Sequence, residues 1–244
     1  MAYSMRSWTG KEIKIAESKG GKISVCDYRD NLIISANSTW PHPDIIKKLY
    51  QSNHINDFDE LERHELTREL GFYCDLQSLR SEDAITWSVF GTLHYFSKQN
   101  QIEFVNSLLK SINVEPTVSD CFIELWTRIA HPDTLVSGGP ELDIQIACDN
   151  LIIFGEAKWL SRVARDQGKM KDKDQLQLRR EFLSKYGDRI FPKATKRLVL
   201  AIELLETDRK NQLSITWEQI CNKTQHPLKN EIKDYYFWKK NKGQ

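Results

Sequence analysis

The chain has 244 residues, of which 40% are apolar and 10% aromatic, with 7 Trp. That is enough to bury a core, so a wholly disordered chain is excluded, and the length fits one large domain or one domain with a substantial extension. With 35 Lys+Arg against 34 Asp+Glu the net charge is +1, so global charge neither requires nor excludes a polyanionic partner. No stretch approaches the roughly 18–20 apolar residues of a membrane span. Met1-Ala2-Tyr3-Ser4-Met5-Arg6 lacks the apolar middle of a signal peptide. The expectation is a soluble, cytoplasmic protein. Five scattered cysteines with no Cys-x-x-Cys agree with a reduced compartment and argue against a zinc knuckle or disulfide framework.

In chain order, Lys22–Val25 and Leu32–Ser35 read as two short strands joined by a polar turn at Arg29-Asp30-Asn31. Pro41 and Pro43 mark a loop before a short helical run over Ile45–Tyr50, and residues 56–70 are charged with a thin apolar stripe, as on a surface helix. Ser81 reads as an N-cap followed by Glu82 and Asp83 in the first turn, opening a helix whose Ile85, Val89, Phe90, Leu93 and Phe96 share a face. A second helix is predicted over Gln101–Ile112. Cys121–Ile129, Glu141–Cys148 and Leu151–Trp159 then read as three strands, Asp174–Tyr186 as a helix, Arg197–Leu204 as a fourth strand, and Thr216 as the cap of a short helix. The order from residue 81 predicts a mixed α/β fold, a central mixed sheet flanked by helices. Residues 1–80 are expected to form an N-terminal α+β extension and residues 81–244 the core, ending in a basic aromatic tail at Tyr235–Lys240. Asp-Asn-Leu-Ile-Ile occurs at both 30–34 and 149–153, and the unlike flanks favour two similar turns over a repeat.

The chemistry concentrates between Gly138 and Trp159. Asp149-Asn150 between two apolar strands suits a two-residue hairpin turn, because both residues tolerate the left-handed backbone such turns need. That turn sets the register: Ala147 opposes Ile152, and Asp143 opposes Glu156 on the same face, while Glu141 opposes Lys158. Directly opposed side chains have Cβ atoms about 4.5–5.5 Å apart, so two carboxylates there repel. A hard divalent cation resolves that conflict; Mg²⁺ takes one or two carboxylates, keeps several waters and binds phosphate oxygens. Lys158 beside them can position a water or stabilise phosphate charge.

An acid on one strand followed by Glu-x-Lys on the next resembles the PD-(D/E)XK nuclease superfamily, the restriction-endonuclease-like fold. The resemblance covers about 81–205, roughly half the chain. It implies a metal-dependent phosphodiesterase acting most often on double-stranded DNA, with Mg²⁺ as cofactor, Mn²⁺ as substitute, and a homodimer as a common state. It assigns Asp143, Glu156 and the Ala157 carbonyl to the metal, Lys158 to the water or the developing charge, and Gln175 to orienting Lys158 or substrate. Many members add an acid from the first core helix: Glu82 is the candidate, with Asp83 as competitor. Leu142 stands where the family often has proline, which leaves Glu141 as an alternative or extra ligand. The competing reading is a non-catalytic nucleic-acid-binding module or complex subunit that keeps the fold.

Between Arg162 and Arg197 twelve basic residues stand against five acids. Arg162, Arg165, Lys169, Lys171, Lys173 and Arg179 are the candidates for tracking a phosphate backbone; the ordinary alternative is a solvated charged surface. The six histidines show no His-x-x-x-His spacing, and no metalloprotease or histidine-metal nuclease signature follows. There is no phosphate-binding Gly-x-x-x-x-Gly-Lys-Ser/Thr loop, so no nucleotide cofactor is expected.

Overall fold

A computed structural model describes residues 3–35, 39–53, 55–68, 70, 73–115, 117–134, 138–160, 174–206 and 212–243. In chain order the elements are β1 (Tyr3–Arg6), β2 (Glu12–Glu17), β3 (Ile23–Val25), α1 (Pro43–Leu49), α2 (Glu60–Leu66), α3 (Glu82–Phe90), α4 (Lys98–Ser111), β4 (Cys121–Arg128), β5 (Glu141–Cys148), β6 (Leu151–Ala157), α5 (Gln175–Ile190), β7 (Lys196–Glu203), β8 (Leu213–Thr216), α6 (Trp217–Lys223) and α7 (Lys229–Lys242). Short 3₁₀ turns cover Tyr28–Asn31, Ile55–Asp57, Asp75–Gln77 and Gly91–Tyr95. The fold is mixed α/β, with a three-stranded antiparallel sheet and a five-stranded mixed sheet. Among the described residues no helix is long and apolar enough to cross a membrane.

The chain divides into two compact units, residues 1–95 with 230–244, and residues 96–229. This moves the break expected at 80/81: α3 and the aromatic tail group with the N-terminal strands. The contacts within the first unit give the reason. Ile33 N–H donates to Ser88 Oγ at 3.0 Å, and Trp87 Nε1 donates to the Ile33 carbonyl at 3.2 Å. Ala84 to Phe90 are all buried, so α3 is enclosed on every side rather than along one apolar stripe. Its hydroxyls tolerate burial by bonding back along the helix, Ser88 Oγ to the Ala84 carbonyl at 2.8 Å and Thr86 Oγ1 to the Glu82 carbonyl at 2.9 Å.

In that unit β1-β2-β3 form an antiparallel meander. The strand expected at Leu32–Ser35 is absent. Instead Asp27 caps a 3₁₀ turn by accepting from Arg29 N–H at 2.9 Å, and Asn31 turns inward to donate to the Leu76 and Ser78 carbonyls at 2.7 and 2.8 Å. The aromatic tail lies on α7 with Tyr235, Tyr236 and Trp238 buried. Tyr235 Oη donates to the Asn31 carbonyl at 2.9 Å, and Trp238 Nε1 to the Arg6 carbonyl at 2.9 Å. The rings of Tyr235, Tyr236 and Trp238 pack within the unit.

The second unit holds the five-stranded sheet in the order β4-β5-β6-β7-β8. β4, β5 and β6 pair antiparallel; β7 and β8 continue in parallel. Helix α5 lies between β6 and β7 in sequence, as a parallel connection requires. Every residue of β6 is buried, the pattern of a central strand covered on both faces. On one side, Ile152 and Phe154 pack with Leu183 of α5. Thr216 closes a capping box with Gln219 at the start of α6. β8 escaped the sequence reading because it is four residues long and runs directly into that cap.

Candidate active site

The β5–β6 hairpin turns at Asp149-Asn150, as predicted, and pairs Ala147 with Ile152 through to Ile144 with Gly155. The ladder ends at that pair, and Asp143 and Glu156 are the next residue on each strand. Each acid has a different environment. Asp143 is half-buried, and its Oδ2 accepts the Ala157 backbone N–H at 2.9 Å. Glu156 is 1% exposed. Its Oε1 lies 2.6 Å from Lys158 Nζ, and its Oε2 is in close ion-pair contact with Arg179 of α5. Arg179 also donates through Nη2 to the Glu141 carbonyl at 2.8 Å.

Arg179, one of the candidates for tracking a phosphate backbone, is 5% exposed. The signal was present: Leu176, Arg179, Leu183 and Tyr186 follow i, i+3, i+7, i+10, a buried helical stripe with a guanidinium in it. Gln175, Leu178 and Phe182 lie on one face of α5. They line a cleft of about 710 Å³ together with Asp143, Glu141 and Arg179. Gly138, Gly139 and Pro140 form part of its wall. A Cβ on Gly139 would fall 1.8 Å from the Ile129 carbonyl oxygen, so only glycine fits where this loop crosses the end of β4.

The backbone next to the acids is strained. Trp126 has φ 51, in the left-handed region where a bulky residue is an outlier. It lies between the Leu125–Ile144 and Thr127–Leu142 pairs of β4–β5, so it stands across from Asp143. Such conformations cost about 1–3 kcal/mol and gather at functional sites.

Glu141 pairs with Arg128 at 2.6 Å on the neighbouring strand rather than with Lys158. β6 ends at Ala157, and Lys158 N–H donates instead to the Ile202 carbonyl of β7 at 2.7 Å. Glu82 and Asp83 open α3 in the first unit, Asp83 bridged to Lys48 at 3.0 Å. Arg162, Arg165, Lys169, Lys171 and Lys173 lie outside the described residues. Of the other basic residues of that run, Arg189 is paired with Asp133 and Arg197 with Asp188, each at 2.6 Å. Cys121 and Cys148 oppose each other across β4–β5 with free thiols, and burial raises their pKa values to about 11 and about 12, so neither is an activated nucleophile.

The oxygens of Asp143 and Glu156 form a hard donor set that fits Mg²⁺ or Mn²⁺. The charge balance restricts when they do so. Two carboxylates face one ammonium and one guanidinium, so the cluster is neutral as it stands. A divalent cation entering alone leaves an excess of two positive charges in a largely dry site. It therefore enters with an anion, or with Arg179 displaced from Glu156. No family model, curated protein or solved structure matches this chain.

Proposed function

We propose that this chain is a divalent-metal-dependent phosphodiesterase that cleaves nucleic acid, most simply DNA, in a restriction-endonuclease-like core formed by its second unit. The observation that carries the reading is the placing of Asp143 at the end of the β5–β6 ladder with its Oδ2 on the Ala157 N–H, Lys158 on the Glu156 carboxylate, and a cleft lined by Asp143. The antiparallel β4-β5-β6, followed by α5 and a parallel β7, supports the same fold reading. Asp143, Glu156 and the Ala157 carbonyl would hold the metal, which would polarise a phosphate oxygen and lower the pKa of a bound water. Lys158, held by Glu156, stabilises negative charge developing on the phosphorus. Gln175, on the cleft wall, orients the substrate. Arg179 leaves Glu156 for the phosphate that accompanies the metal, whose negative charge offsets part of the ion's two positive charges. The proposal needs neither Glu82 nor the basic residues of 162–173.

One observation favours a second reading. Both oxygens of Glu156 already face cations, as in a purely structural ion cluster inside a non-catalytic nucleic-acid-binding module. Incubation of supercoiled and single-stranded DNA with Mg²⁺ or Mn²⁺ separates the two. Cleavage by wild type that is lost in Asp143→Asn and in Lys158→Ala supports the enzyme; metal-independent or undiminished cleavage in the variants overturns it. Salt-sensitive DNA binding without cleavage selects the second reading.

A further inference from the structure

The first unit contains a cluster that the acidic pair does not explain. His42, Asp44 and His94 place one ligand atom each within 4.8 Å of one another. His42 is the N-cap of α1 and Asp44 lies in its first turn, while His94 sits in the 3₁₀ turn after α3. The two imidazole rings stack, with centroids 5.0 Å apart and planes inclined by 12°. Trp87 and Tyr95 line the same spot, their ring centroids 5.3 and 6.1 Å from that of His42.

We propose that His42, Asp44 and His94 form a binding site for a zinc-class transition-metal ion, separate from the carboxylate pair of the second unit. The donor chemistry is the first argument. Two imidazoles and a carboxylate suit zinc, iron or cobalt in the divalent state and do not suit Mg²⁺, which prefers oxygen and water. Three protein ligands leave one position for water or a ligand.

The second argument is how the nitrogens are poised. Asp44 N–H donates to His42 Nδ1 at 3.2 Å, so the neutral ring carries its lone pair on Nδ1 and its proton on Nε2. That lone pair lies 3.6 Å from Asp44 Oδ2. Metal bonds of about 2.0–2.2 Å in a tetrahedron place ligand atoms about 3.4 Å apart, so this edge is nearly formed already. With one ligand atom from each residue within 4.8 Å of the others, no edge needs to close by more than about 1.4 Å, within reach of side-chain rotation. The metal replaces only a long cap bond at His42. His94 Nε2 is buried and has no hydrogen-bond partner, a cost that a ligand role removes.

Protonation does not stand in the way. Burial lowers the pKa of both imidazoles below the ordinary value, and at His94 the neighbouring His42 lowers it further. Both rings are therefore neutral at pH 7, as ligands must be. The aromatic wall limits water access and strengthens the bonds inside.

Equilibrium dialysis of Zn²⁺ and the visible absorption of Co²⁺ test this on the full chain. The variants are His42→Asn, which keeps an acceptor at the N-cap, His94→Gln, and Asp143→Asn/Glu156→Gln as the control for the other site. Wild type and the control take up one equivalent of Zn²⁺ that excess Mg²⁺ does not displace. Each histidine variant binds that equivalent at least about 100-fold more weakly, beyond the 10–100-fold effect of outer partners. Circular dichroism of the metal-free proteins is unchanged. Zn²⁺ raises the melting temperature of wild type and of the control only. The proposal is overturned if wild type takes up no such equivalent, if the histidine variants retain it, or if it is lost with the carboxylates.

Discussion

The two ionisable clusters solve the problem of charge away from water in opposite ways. Glu156 is surrounded by cations: Lys158 holds one oxygen and Arg179 the other. His42 and His94 shed their charge instead, because burial favours the neutral ring. The difference determines what each can bind. On the proposed reading, a neutralised oxygen cluster would accept a divalent cation together with an anion, which would couple metal to phosphate. A neutral nitrogen cluster accepts a cation on its own. Lys239 adds a third solution. It is fully buried with Nζ 3.3 Å from Asn31 Oδ1, and burial drives its pKa far down.

The largest effect expected from breaking this contrast is on activity. Asp143→Ala and Lys158→Ala should each lower metal-dependent cleavage by 10²-fold or more, on the order of what loss of a group stabilising transition-state charge costs. Circular dichroism should show both variants folded.

Next comes stability. Arg179→Met leaves Glu156 buried with Lys158 alone. Removing one partner of a buried ion pair costs about 3–5 kcal/mol, and the remaining lysine puts this case toward the lower end. Urea unfolding should show the loss, and Glu156→Gln added to Arg179→Met should recover part of it. A loss no larger than that of an exposed pair would mean the cluster is hydrated.

A pH titration of stability sharpens the third case. The folded pKa of Lys239 is depressed, so between it and the unfolded value the unfolded chain binds one more proton than the native chain. Its contribution is present above the unfolded pKa and lost as pH falls. Stability should therefore rise with pH toward about 10 with a slope of up to about 1.4 kcal/mol per unit, and Lys239→Met should abolish that slope. The smallest effect belongs to the imidazoles. Without metal, His42→Asn keeps a cap acceptor and should change stability by less than about 1 kcal/mol.

How much of this was legible in the sequence depended on whether local rules decided the outcome. The identical segments Asp-Asn-Leu-Ile-Ile at 30–34 and 149–153 make the point. At 149–153 an apolar strand on each side of the turn finds its partner, so the turn and the register follow from pairing rules. At 30–34 the same residues end a 3₁₀ turn, because Asn31 finds buried carbonyls at Leu76 and Ser78, about 45 residues away. No local pattern encodes that partner. The caps at Ser81 and Thr216 were readable for the reason the hairpin was: their hydrogen bonds close within three residues. Arg179 was misplaced because a charge run suggests solvent, although its helical phase pointed inward. The His42–Asp44–His94 cluster escaped because its third member lies 50 residues on, at no motif spacing.

The most direct test of the central claim is Mn²⁺ titrated calorimetrically into wild type and into Asp143→Asn/Glu156→Gln, each with and without a short DNA duplex. The account predicts weak uptake by wild type alone, markedly tighter uptake with the duplex, and loss of that enhancement in the double variant. Equal Mn²⁺ binding by the two proteins in the presence of DNA would contradict it and leave the opposed carboxylates as a structural ion cluster.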